Sequence, residues 1–187
     1  MMKNISVLVL IVFFAACKDR NPNQPVRSKT DPEKEVASDK TDEEKDKGYT
    51  INAPEGWTKQ DASQMGGEGT LLVSPAEKND KFRENINVLT ESTHGLDVDT
   101  YMEKSLAVLR NELTDFDQTK VSDRSFNGLD FKCIKFSHKY SGMTIDCETY
   151  FTVNDGTSYV ITCSAWGGTI DKWEPQFEEA VNSFRLK

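Results

Sequence analysis

No apolar run in this 187-residue chain is long enough to cross a bilayer as a helix. The longest, Ile5 to Ala16, holds twelve residues with Ser6 inside it, against the ~20 that a spanning helix needs. Histidine is nearly absent: His94 and His138 are the only two, and neither sits in a motif. There is no G-x-S-x-G, no H-E-x-x-H and no G-x-x-x-x-G-K, so the common local signatures of hydrolases, zinc peptidases and phosphate-binding loops are missing. The four cysteines include no C-x-x-C pair, which argues against a zinc site. The acid pairs Asp97/Asp99 and Asp115/Asp117 lack the glycine-marked spacing of a calcium loop. Positive charge is in the minority, 23 basic residues against 31 acidic for a net −8. With no basic stripe, nucleic acid is set aside as a partner.

What is present begins with an export signal. Lys3 precedes the apolar run Ile5 to Ala16, in the order of an n-region and an h-region. The segment that follows, Phe14-Ala15-Ala16-Cys17, resembles the lipobox of bacterial lipoproteins, with Phe14 in place of the usual leucine. That resemblance implies cleavage after Ala16 and a diacylglycerol thioether on Cys17, so residues 1–16 are read as a lipoprotein signal peptide. The other reading, an ordinary secretory signal, leaves Cys17 as a free thiol, an odd group to retain at the first exported position. Several acyl chains, at about 0.8 kcal/mol per buried methylene, hold a protein on a membrane firmly. The position after Cys17 is Lys18, not the aspartate that marks inner-membrane retention in some diderm bacteria. By that resemblance the destination is the outer membrane.

Residues 17–48 form a different material. Between Lys18 and Gly48 only Val26, Val36 and Ala37 are hydrophobic, while eight residues are basic and nine acidic. Such a stretch cannot bury enough apolar surface to offset its chain entropy, and it is expected to be a disordered spacer of about 30 Å root-mean-square span.

Residues 49–187 are the expected folded domain, carrying 14 basic and 22 acidic residues. Two-residue alternation predicts strands at Tyr49 to Asn52, Thr70 to Ser74, Asn85 to Ser92, Phe116 to Ser125, Leu129 to Lys139, Met143 to Val153 and Ser158 to Ala165. Asn127-Gly128, Ser141-Gly142 and Asp155-Gly156 supply turns that link the last four into an antiparallel meander with one wet face. Val98, Tyr101, Met102, Leu106, Leu109 and Leu113 make a helical stripe capped by Asp97. Trp173, Phe177, Ala180, Val181 and Phe184 make a second, expected to start near Glu174 because of Pro175. The fold class is therefore α+β, an antiparallel sheet of six to seven strands flanked by two helices.

Several segments follow one another in a familiar order: Pro54-Glu55-Gly56-Trp57, Asn85-Ile86-Asn87-Val88, Tyr101 to Leu106, Gly156 to Cys163 and Asn182-Ser183-Phe184. Across residues 49–187 this is similar to the PsbP-like and DcrB-like families. The resemblance implies an α/β/α sandwich and brings no shared catalytic residue and no cofactor.

Cys133, Cys147 and Cys163 all fall on expected strands. If the last hairpin turns through Asn154-Asp155-Gly156 as a three-residue loop, Cys147 lies opposite Cys163, close enough for a disulfide in an oxidising compartment. A two-residue loop puts them on opposite faces, and the thiols are then three small buried hydrophobes. The glycine-rich stretch Gln64 to Gly69 is a loop, with ligand gripping as its less favoured role, and Trp57 and Trp166 read as core or rim aromatics.

These features point to a non-catalytic envelope lipoprotein that binds another protein or a peptide. Two alternatives stay open: a small-molecule binder or hydrolase with a site assembled around His138 and the wet face, and an immunity protein against a toxin. Growth on radiolabelled palmitate is expected to label the protein; absence of label, with the chain in the cytosolic fraction, contradicts the reading of Cys17.

Overall fold

A computed structural model describes residues 47–62, 68–78 and 80–187. The expected export signal, Cys17, the expected tether up to residue 46, and residues 64–67 of the glycine-rich stretch lie outside the described residues. The elements are β1 (Tyr49–Thr50), β2 (Thr58–Asp61), β3 (Gly69–Val73), β4 (Asn85–Ser92), α1 (Val98–Glu112), β5 (Thr114–Phe126), β6 (Leu129–Tyr140), β7 (Met143–Asn154), β8 (Thr157–Trp166), α2 (Ile170–Ser183) and β9 (Arg185–Leu186).

Three tight turns build the meander β5 to β8. Asn127-Gly128, Ser141-Gly142 and Asp155-Gly156 all have positive φ at both positions, from 48° to 79°. This is the two-residue hairpin turn whose twist matches that of the strands. α1 then explains the sheet order. It carries the chain from β4 across one face to the far edge, and the meander walks back until β8 pairs with β4 from Asn85↔Ser164 to Ser92↔Thr157. The result is one antiparallel seven-stranded sheet, β2-β3-β4-β8-β7-β6-β5, as the α+β reading expects.

Alternation along the strands divides the core in two. Phe131, Cys133, Tyr150, Ile161 and Cys163 face α2, where Phe177, Ala180, Val181 and Phe184 meet them. Ile134, Phe136, Ile145, Cys147, Phe151 and Val160 face α1, under Tyr101, Met102, Leu106 and Leu109. Asp97 caps α1 as expected, its Oδ1 accepting from the Thr100 N–H at 2.8 Å. That bond holds the Asp97 carboxyl below its ordinary value.

The second helix departs from expectation. It starts at Ile170, not near Glu174, and encloses Pro175. Its first turn is tight, with the Lys172 N–H bonding the Thr169 carbonyl at 3.0 Å, so helical winding is established before the ring is reached. Two strands have no apolar signal in the sequence. β2 is Thr-Lys-Gln-Asp, exposed throughout. β9 is two residues that pair with β1, Tyr49↔Leu186 and Thr50↔Arg185. The β1–β9 ladder brings the two ends of the described fold together over Phe184, which is fully buried and lies against Tyr49, Tyr159 and Phe131 with ring centroids 5.5 to 6.1 Å apart.

Phe184→Ala is expected to destabilise the fold by about 3–5 kcal/mol in chemical denaturation, because it removes the ring that joins β1, β6, β8 and α2. Val121→Ser, on the exposed edge, is expected to stay within about 0.5 kcal/mol.

Candidate functional site

The sheet ends on one side in a long, open strand. β5 runs for thirteen residues, pairs among the described residues with β6 alone, and is exposed or half-buried along its whole length. Both helices pack on inner strands, so neither covers it. Val121, 48% exposed at its centre, is the one exposed large hydrophobic side chain among the described residues. An uncovered edge presents a row of backbone donors and acceptors on which another strand can be laid.

The devices that discourage indiscriminate pairing are also present. The register with β6 shifts twice, between Thr114 and Asp117 and between Gln118 and Lys120, and such bulges bend an edge away from a flat partner. What remains regular is Lys120 to Phe126. Charges along it are tied back to the body: Asp123 to Lys132 at 2.9 Å, Arg124 to Glu178 at 3.4 Å, and at the far end Asp115 to Lys139 at 3.4 Å. These exposed pairs contribute little stability, but they keep both signs of charge along the edge. Beside this run lies a cleft of about 330 Å³ lined by Val98, Asp123, Arg124, Ser125, Asp130, Phe131 and Lys132.

The residues singled out from the sequence do not converge on a catalytic centre. The β7–β8 turn has two residues, so Asn154 faces Thr157, Cys147 faces Ser164 and Cys163 faces Glu148. The three-residue turn on which the Cys147–Cys163 bridge depended is not the one formed. The two thiols point to opposite faces of the sheet, and all three described cysteines are free and buried. Burial pushes the Cys133 and Cys147 thiols up to about 12 and Cys163 well above its usual value, so none is a thiolate at neutral pH.

His138 lies on the α1 face, 1% exposed and beside Phe136, and not on the wet face with Ser137 and Lys139. Burial holds its imidazole below the ordinary value. The folded protein therefore keeps it neutral, and acidification through the unfolded-state range near 6.5 costs stability. The wet face itself is the part of the α2 side beyond the helix. There Glu148, 7% exposed, pairs with Lys135 at 3.2 Å among Ser137, Thr144 and Asp146. His94 sits on an exposed turn at φ 52°. Trp57 is a core residue packed edge-on against Trp173 and Phe177. Trp166, partly buried at the end of β8, packs against the α1-face core. Of the acid pairs, Asp97 caps α1, Asp99 binds Lys132 at 3.0 Å and Asp117 lies opposite Ser137. Among the described residues no three His, Cys, Asp or Glu side chains are placed to hold a metal.

The seven-stranded antiparallel sheet with one helix on each face is a PsbP-like fold, and solved structures are similar to it. LpqN of Mycobacterium tuberculosis, involved in cell envelope biogenesis, superposes with a TM-score of 0.56 at 16% identity over 74% of this chain and 83% of its own. The cyanobacterial PsbP of Synechocystis gives 0.53 at 16% identity over 75% and 87%. The Saccharomyces cerevisiae Ran-binding protein Mog1p gives 0.51 at 14% identity over 74% and 90%. At these identities the likeness is one of fold. No family model and no curated protein sequence matches the chain.

The edge strand was legible in the sequence as a strand but not as an edge, because its alternation of charge and apolar residues is shared with β6. In the native protein, Ellman's reagent is expected to find Cys133, Cys147 and Cys163 unreactive at neutral pH, and all three to titrate once the chain is denatured without reductant. Fewer than three thiols after denaturation contradicts the geometry.

Proposed function

We propose that this chain is a lipid-anchored, non-catalytic accessory module of the cell envelope, held on the outer membrane through Cys17 and a charged tether, that binds another protein by strand addition along β5. The observation that carries the reading is the uncovered edge itself: a regular run from Lys120 to Phe126, paired among the described residues on one side only, with Val121 exposed near its start. A partner strand laid there gains main-chain hydrogen bonds and places alternate side chains beside Val121 and over the cleft next to Phe131.

Charge narrows the occupant. The body of residues 49–187 has eight more acidic than basic residues, so a segment with an apolar residue for Val121 and no net negative charge is the complementary one. Two of the structural neighbours support a binding or envelope role by what is said of them, LpqN in envelope biogenesis and Mog1p as a Ran-binding protein. Among the described residues no helix is long and apolar enough to cross a membrane, which fits attachment by lipid.

A photo-crosslinking amino acid at position 121, in cells, is expected to trap one protein through an extended segment, while the same group at Lys59 on the opposite edge strand does not. Val121→Glu is expected to leave the melting temperature within a few degrees and to cut capture by a probe at Ser125 at least tenfold. Equal trapping from both edges, or none from position 121, contradicts the proposal.

A further inference from the structure

The α1 face of the sheet carries a block of polar side chains where strands packed under a helix ordinarily place aliphatic ones. Two neighbouring rows cross β7, β8 and β4. Thr149, Thr162 and Asn87 form one, and Cys147, Ser164 and Asn85 form the other. All six are at most 3% exposed. Protein contacts satisfy the β7–β8 side of the block. The Thr149 and Thr162 hydroxyls are 3.1 Å apart, and the Cys147 thiol lies 3.6 Å from the Ser164 hydroxyl.

The β4 side is different. Asn85 Nδ2 donates to the Arg83 carbonyl at 3.0 Å. Among the described residues, Asn85 Oδ1 and both atoms of the Asn87 carboxamide have no hydrogen-bond partner. Sequestering an amide without partners costs free energy that folded proteins rarely leave uncompensated. In the apolar cluster on this face Phe82, Met102, Leu106 and Leu109 bring no strong donor or acceptor, and the Tyr101 hydroxyl donates to Glu91. Leu71 and Val73, on the β3 side of the two asparagines, bring none either.

We propose that Asn85 and Asn87 form a buried binding site for an uncharged guest that both donates and accepts hydrogen bonds. A carboxamide presents a carbonyl acceptor and an amino donor side by side, so its complement offers the reverse pair. The six side chains of the block are all uncharged, and an ion taken there from water would be desolvated without a counter-charge. The complementary chemistry is that of solvent water and equally of a small amide or alcohol. The site lies on the α1 face, inside the sheet, and is independent of the edge strand.

The test uses the full chain, purified in detergent, with and without Asn87→Leu. Nuclear magnetic resonance measures cross-relaxation between water and the Asn87 side-chain amide protons, and native mass spectrometry measures any co-purified mass. Long-lived water at Asn87 with a bare protein mass supports the site with solvent as guest. A stoichiometric neutral adduct that Asn87→Leu removes supports it with an organic guest. Neither water contact nor adduct overturns it. Should Asn87→Leu not fold, Thr162→Val, which removes a hydroxyl from the same row, is expected to weaken the adduct or shorten the water residence at least tenfold.

Discussion

A two-residue turn at Asp155-Gly156 decides which side of the sheet every residue of the two central strands meets. Because side chains alternate with period two, adding one residue to that turn would exchange the faces of β8 relative to β7. The consequence is visible in the core: Tyr150, Ile161 and Cys163 lie together under α2, while Phe151, Val160 and Cys147 lie together under α1. Glycine at the second turn position takes φ 75°, and Asp155 accepts φ 48° ahead of it, a conformation that asparagine and aspartate tolerate better than most residues. Repetition of this turn at Asn127-Gly128 and Ser141-Gly142 stacks four long strands in register, and two separate apolar clusters then seat two helices.

The same construction leaves β5 uncovered. α1 has to cross from β4 to the far edge to start the meander, and its stripe lies over β6 and β7, with α2 occupying the opposite face near β8. Among the described residues the edge strand therefore has a partner on one side only, and the edge is softened by two bulges and by ion pairs that reach back to Lys132, Lys139 and Glu178. Of the two edges of the sheet, β5 is the long one and carries the exposed Val121, whereas β2 is a strand of four residues. The three described thiols are buried and protonated and the buried His138 is neutral, and none of them lines the cleft beside β5.

The sequence disclosed the elements that carry a periodic signal. The bounds of β4 and the start of α1 agree with the structure, as do all three turns, because glycine pairs and apolar stripes are local properties. Where the signal is not local, reading fails for identifiable reasons. β2, Thr-Lys-Gln-Asp, has no apolar residue and exists because Leu71 and Leu72 of β3 present a paired backbone. Gly69 reads as part of a loop, yet it begins β3 where a Cβ would come within 2.1 Å of the Val88 carbonyl, an approach only glycine permits. The Cys147–Cys163 bridge turned on whether a loop counts two residues or three, which composition does not reveal. Asn87 lies in a strand with Val88 and Leu89, and nothing in that string distinguishes a buried carboxamide from an exposed one.

Amide hydrogen exchange, read residue by residue in the native protein, tests most directly whether the meander's register leaves its outer strand open. Between Lys120 and Phe126 the account predicts alternation, with inward amides slowed by β6 and outward amides exchanging nearly as fast as loop positions, while β7 and β8 exchange only through global unfolding. Uniform strong protection along β5, equal to that of β7, would contradict it.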